Sequence, residues 1–138
     1  MKNWVDLVSR IAIGLFFFYQ AFDTMVFFQG TRETLTNYGI TFAQDWLIVA
    51  SIIILLLGGM MVIIGYYASI GASLLFVYWF TFTVIVYSFW DEPPEVKTLH
   101  INSFMRNMAL CGGLLHIVAQ GAKDYSVKRI LHVLRLPK

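Results

Sequence analysis

Charge is scarce in this 138-residue sequence. Only 13% of the residues are Asp, Glu, Lys or Arg, about half the share of an ordinary soluble domain. That is too little to cover a water-facing surface, and it excludes a soluble globular enzyme and a disordered tail. The formal net charge of +2 is too small to hold a polyanion, so no nucleic-acid partner is expected. One cysteine, Cys111, rules out a disulfide within the chain and any CxxC redox or zinc motif. Sequence-wide, no nucleophile–base–acid set, phosphate-binding glycine loop, carboxylate pair or haem-type histidine pair is present, and no catalytic residue is assigned.

What is abundant is apolar surface: 59% of the residues are hydrophobic and 17% are aromatic. From Trp46 to Trp90, 45 consecutive residues include no Lys, Arg, His, Asp or Glu. One membrane-crossing helix needs about 20 such residues, so this tract supplies two, hinged at Gly65–Gly71. Two further spans flank it. The first covers about Ile11–Phe28 and includes Asp23; the last covers about Ile101–Gly121 and includes Arg106 and His116. Within lipid each backbone must satisfy its own polar groups, which requires helices; barrel strands would alternate, and these runs do not. The expected fold is all-α: a four-transmembrane-helix bundle over 1–124, followed by a short amphipathic interfacial helix over 125–138. In that tail Val127, Ile130, Leu131 and Leu134 share one helical face and Lys128, His132 and Arg135 another, the pattern of a helix on an anionic leaflet.

An even number of spans puts both termini on one side. Seven of the ten basic residues fall there: Lys2, Arg10, Lys123, Lys128, Arg129, Arg135 and Lys138. The opposite loops and adjoining span ends hold six of the eight acids. The positive-inside rule therefore predicts cytoplasmic termini, and Trp4, Trp46 and Trp90 stand at span ends, where aromatic belts form. The N-terminal stretch has no A-x-A cleavage site and reads as a retained helix. The polar segment from Gln29 to Asp45 reads as a small cap over the bundle.

On the last helix Asn102, Arg106, Ala109, Gly113, His116 and Gln120 fall in a sector about 80° wide, both small and polar. Such a stripe is expected to face the bundle interior. Arg10, Gly14, Phe17, Ala21 and Thr24 form a packing stripe on the first span; Ser51, Gly58, Gly59 and Gly65 form one on the second. Asp23 and Arg106 each lie five residues inside a span end, about 7 Å deep at 1.5 Å per residue. A charge at that depth costs on the order of 2.5–3.5 kcal/mol, so the two are expected to pair, either fixing helix register or contacting a ligand. His116 reads as a packing histidine or a proton relay. Met105, Met108 and Cys111, with Met60 and Met61, read as core filling, or as soft Cu(I) ligands without the spacing of a dedicated site; no metal is expected. The third span is crowded with aromatics, among them Tyr78 and Trp79, a surface for lipid tails or a flat ring.

Several segments are similar to those of a known family. Arg10-Ile-Ala-Ile-Gly14-Leu-Phe-Phe17 resembles the first helix of the DoxX-like family of four-helix bacterial membrane proteins. Gly58-Gly59 followed by Gly65 resembles its second-helix glycine pattern. Phe104-Met-Arg-Asn107 through Gly112-Gly113, then Gly121 and Ser126, resembles its closing segment. Ala21, Thr24 and Leu55 stand where that family often has glycine, lysine and glutamate, and Arg106 replaces its usual lysine. The resemblance implies a multi-pass protein of the bacterial inner membrane, either an accessory or ligand-binding component of a redox or stress-response system or a membrane subunit of a quinone-linked oxidoreductase. Autonomous catalysis is not expected. A quinone is the cofactor this implies, with Arg106, His116 and Gln120 as polar contacts and Trp79 and Tyr78 as stacking partners. Asp23, with Arg106, would gate a third alternative, a small transporter or metal-handling component. Implied partners are the lipid bilayer and either a redox partner protein or a second copy of the chain.

Overall fold

The structure, a computed structural model, describes residues 2–90 and 93–121. Among these residues it is all helical: α1 Lys2–Val26, α2 Phe28–Asn37, α3 Gln44–Ile64, α4 Ala68–Val86 and α5 Pro94–Gln120. Trp4–Val26, Gln44–Ile64 and Ala68–Val86 are long and apolar enough to cross a membrane. The fourth expected span is one continuous helix, α5, but Lys97, His100, Arg106 and His116 keep it below the apolar content of the other three. The tail expected over 125–138 lies outside the described residues.

Turn chemistry sets the element boundaries. Gly65 closes α3 at φ 75°, and its N–H bonds the Met61 carbonyl at 3.0 Å. A left-handed residue is the usual way to end a helix, and glycine takes it without strain. Tyr67, at φ 55°, takes the same region without that freedom and starts α4. Pro93 precedes α5 in an extended conformation and Pro94 is its first residue, where a missing N–H costs no helix bond.

The four long helices run antiparallel in chain order: α1 packs along α3, α3 along α4 and α4 along α5, while α1 and α5 touch only sparsely. The expected α1 stripe is the buried one: Arg10, Gly14, Phe17, Ala21 and Thr24 all face inward. Gly58, Gly59 and Gly65 are likewise buried, with Ser51 half-buried. Close approach explains Gly14. A Cβ there would stand 2.7 Å from Ile63 Cδ1 and 3.1 Å from the Gly59 carbonyl oxygen, so no larger residue fits without moving α3.

Trp79 of α4 centres the core. Its ring meets Phe16 and Phe17 edge-on, each at 5.4 Å, and stacks on Phe82 at 5.2 Å, the offset and T-shaped geometries that aromatic quadrupoles favour. Leu55, Leu75, Leu114 and Ile117 fill the space around it.

Candidate functional site

Beneath α2 the bundle is not filled. A cavity of about 360 Å³ lies between the α2 ends of α3 and α4, within the size range of small-molecule pockets. Ile48, Ile54, Leu74, Val77, Phe82 and Ile85 make its walls almost wholly apolar, while Leu35 and Ile40 come from α2 and the segment after it. The polar groups are hydroxyls: Thr24 from α1, Thr31, Ser51, Tyr78 and Thr81. Thr24 and Ser51 return their hydrogens to carbonyls one turn earlier, Gln20 at 2.8 Å and Leu47 at 2.8 Å, which leaves oxygen lone pairs for an incoming donor. The Tyr78 phenol lies beside the Ser51 hydroxyl.

The cap expected from Gln29 to Asp45 takes a definite form, helix α2 and a six-residue return. Gln44 clamps it, donating to the Thr36 hydroxyl at 2.8 Å and the Ile40 carbonyl at 2.7 Å. Arg32 reaches back to the Gln44 amide oxygen at 3.3 Å and to Asp45 at 3.6 Å. On the far rim the Tyr38 hydroxyl donates to the Val86 carbonyl at 2.7 Å. The cap is thus tied to both helices that line the cavity, which stays open on one side. No α2 residue is fully buried, and the clamp is made of exposed or part-buried polar contacts, each a small contribution to stability.

The six residues singled out from sequence do not converge. Tyr78 lines the cavity. Trp79 backs it through Phe82 but is itself core, and its indole N–H, although buried, has no hydrogen-bond partner among the described residues. Asp23 is half-buried on α1; Arg106, His116 and Gln120 are exposed on α5. The expected Asp23–Arg106 pair is not made: among the described residues the ion pairs are Arg10–Asp6 and Arg32–Asp45, and Arg106 donates to Ser103 at 3.0 Å.

Apart from half-buried Gly113, the small-polar stripe of α5 is turned away from its expected direction. Asn102, Ala109, His116 and Gln120 are exposed with Arg106, whereas Asn107, Cys111, Leu114 and Ile117 are buried, centred about 125° around the helix at 100° per residue. The reason is volume. The core opposite α5 is bulky Trp79 and Leu75, and branched apolar side chains fill the space around such groups better than glycines do. Cys111 is a core residue, and among the described residues no three His, Cys, Asp or Glu side chains come together.

The second buried feature was only partly legible. Arg10 is completely buried, with Nε 3.1 Å from the Asp6 carboxylate and Nη1 3.5 Å from the Val62 carbonyl in the last turn of α3. Its charge therefore sits at a helix C-terminus, where a cation is favoured. The i, i+4 spacing of Asp6 and Arg10 was the available signal.

Comparison with known proteins fits this helical arrangement. The family model described as DoxX matches residues 5–88, which covers α1 to the end of α4. The chain belongs to the DoxX family. This DoxX-family chain is also 24% identical over 123 residues to the inner membrane protein YphA of Escherichia coli (strain K12), an alignment covering 89% of this chain and 87% of the relative. No solved structure matches it. The match includes Thr24, Ser51, Tyr78 and Phe82, so the cavity is built on family segments, while α5 follows the residues matched by the family model.

Proposed function

We propose that this DoxX-family protein is a non-catalytic inner-membrane component that holds an apolar ligand in the cavity between α3 and α4, accessory to a redox or stress-response system. The observation that carries the reading is the cavity itself: about 360 Å³, apolar-walled, with a few hydroxyls and a tied-down cap. The ligand class that suits it is hydrocarbon with one or two hydrogen-bonding oxygens, since burying more polar atoms among Leu, Ile and Val side chains would leave them unpaired. The likeness to YphA supports the bacterial inner membrane as its place. α5 crosses as the fourth span, its Arg106 reaching the nearer interface, and both termini lie in the cytoplasm, as the basic residues at both ends favour.

The second reading, a membrane subunit of a quinone-linked oxidoreductase, draws on Tyr78 and Phe82. Their rings are near parallel, 17° apart with centroids 6.3 Å apart, and both line the cavity; a flat ring with a carbonyl acceptor suits such a wall. Protein purified in its native lipid, extracted with solvent and analysed by mass spectrometry, tests both. A stoichiometric apolar compound, lost from Ser51→Phe in a folded chain, is the expected result, and its identity separates quinone from other lipids. Equal lipid content in parent and Ser51→Phe would end the ligand reading.

A further inference from the structure

With α5 crossing the bilayer, as proposed above, its exposed stripe poses a physical problem. Asn102, Arg106, His116 and Gln120 would face hydrocarbon, where polar side chains seek protein partners. Snorkelling relieves Arg106 near the interface but not a stripe that runs the length of the helix. Ala109 and Gly112 interrupt it with small side chains, and a Cβ on Gly112 would meet nothing within 4 Å. Asn102, His116 and Gln120 each both donate and accept, so they can satisfy hydrogen bonds with copies of themselves or with hydroxyls.

The neighbouring outward face belongs to α1, and it is complementary. A shallow groove of about 350 Å³ is lined by Trp4, Val5, Val8, Ser9 and Ala12. Asp23 stands three turns beyond Ala12 on the same line of the helix, with no ion-pair partner among the described residues. One contact sets the levels of the two helices: a Cβ on Gly113 would be 3.2 Å from Ile13 Cδ1. Counting from there at about 1.5 Å per residue, Arg106 lies roughly 10 Å and Asp23 roughly 15 Å toward the α2 end. In the other direction His116 and Gln120 come within about 1.5 Å of the levels of Ser9 and Val5. A two-fold axis along the membrane normal preserves levels and sets α1 of each copy against α5 of the other, residue i meeting j and j meeting i.

We propose that the α1–α5 face is the interface between two copies of this chain, in which Arg106 of each copy pairs with Asp23 of the other and the His116–Gln120 stretch of α5 lies in the α1 groove. The charges decide for a second copy: one cation and one anion without an ion-pair partner among the described residues, about 5 Å apart in level and so within reach of an arginine side chain, complement each other twice when the face meets itself.

Charge reversal tests this in the full chain in lipid nanodiscs. The parent is expected at twice the 15.8 kDa chain mass. Asp23→Arg and Arg106→Asp, each alone, place like charges together at both pairs and are expected at the single mass, with at least a tenfold loss of dimer. Co-expressed, they restore both pairs and are expected to form the mixed dimer, which pairing within one chain would not produce. If a reversed chain fails to fold, Gly112→Leu carries the test: a Cβ there meets nothing within 4 Å in its own chain, and the variant is expected to give a folded monomer. A monomeric parent, reversed variants that stay dimeric, a folded pair that does not recombine, or a dimeric Gly112→Leu overturns the proposal. Side-specific labelling of the C-terminus reads the crossing of α5 alone, so failure of that reading and of this one are distinguished.

Discussion

The α1–α3 contact makes an asymmetric prediction from two glycines that face each other. At Gly14 an added Cβ would press on the Ile63 side chain, at 2.7 Å from its Cδ1, and would stand 3.1 Å from the Gly59 carbonyl oxygen. Ile63 Cγ1 stands closer still, so the isoleucine must change rotamer, and the carbonyl belongs to a helix backbone that cannot turn aside. At Gly59 the added Cβ would find the Gly14 carbonyl oxygen at 3.4 Å and Phe18 ring atoms at 3.6 Å, ordinary van der Waals contact. Both substitutions gain about 0.5–1 kcal/mol of helix propensity. Overpacking costs about 1–3 kcal/mol where the neighbour must move. Gly14→Ala is therefore expected to lose roughly 1–2 kcal/mol net, and Gly59→Ala to stay level or gain up to about 1 kcal/mol. In thermal unfolding of the purified protein in detergent, each kcal/mol corresponds to about 3–5 °C for a chain of this size. Gly14→Ala should melt several degrees below the parent, Gly59→Ala at or above it. Equal melting of the two variants, or the reverse order, would refute the packing of α1 on α3 described above.

Three further expectations follow from single contacts. Arg10→Met leaves Asp6 and the Val62 carbonyl without the buried guanidinium, and breaking such a pair costs about 3 kcal/mol or more; a melting temperature within a few degrees of the parent would contradict this. Tyr38→Phe removes the 2.7 Å bond from the cap to Val86, a loss of about 0.5–1.5 kcal/mol, and should speed hydrogen exchange in α2 while leaving the core of α3 unchanged; α2 exchange equal in parent and variant would show that this bond does not hold the cap. Cys111, 3% exposed, should resist maleimide in native membranes and react fully after unfolding, whereas rapid labelling of the native protein would place it outside the core.

How far the sequence reveals this molecule depends on what kind of signal a residue carries. Helices α3 and α4 were legible because a 45-residue tract without charge has one physical solution in lipid. The inward face of α1 was legible because Gly14 and Ala21 mark close approach and Phe17 marks bulk, on one stripe with Arg10 and Thr24. The inward face of α5 was not. The wheel located the stripe of Asn102 to Gln120, yet periodicity gives a direction only relative to the helix itself. Which side meets α4 was decided by the fit of Leu114, Ile117 and Cys111 around Trp79. Tyr78 was picked out as an aromatic and does line the cavity, but the cavity depends on Thr24, Ser51 and Thr31 coming together from three helices, which no local pattern records. The clamp through Gln44 was hidden for the same reason, since a glutamine at a helix start carries no sequence mark of its partners.

The four-crossing arrangement stands or falls on the side of the membrane that the C-terminus occupies. Single cysteines at Thr41 and Lys138, placed in a Cys111→Ser background and treated with a membrane-impermeant maleimide in intact spheroplasts, read it without ambiguity. Thr41→Cys is expected to label at once and Lys138→Cys only after the membrane is opened. Immediate labelling of Lys138→Cys would leave three crossings, with α5 on the surface.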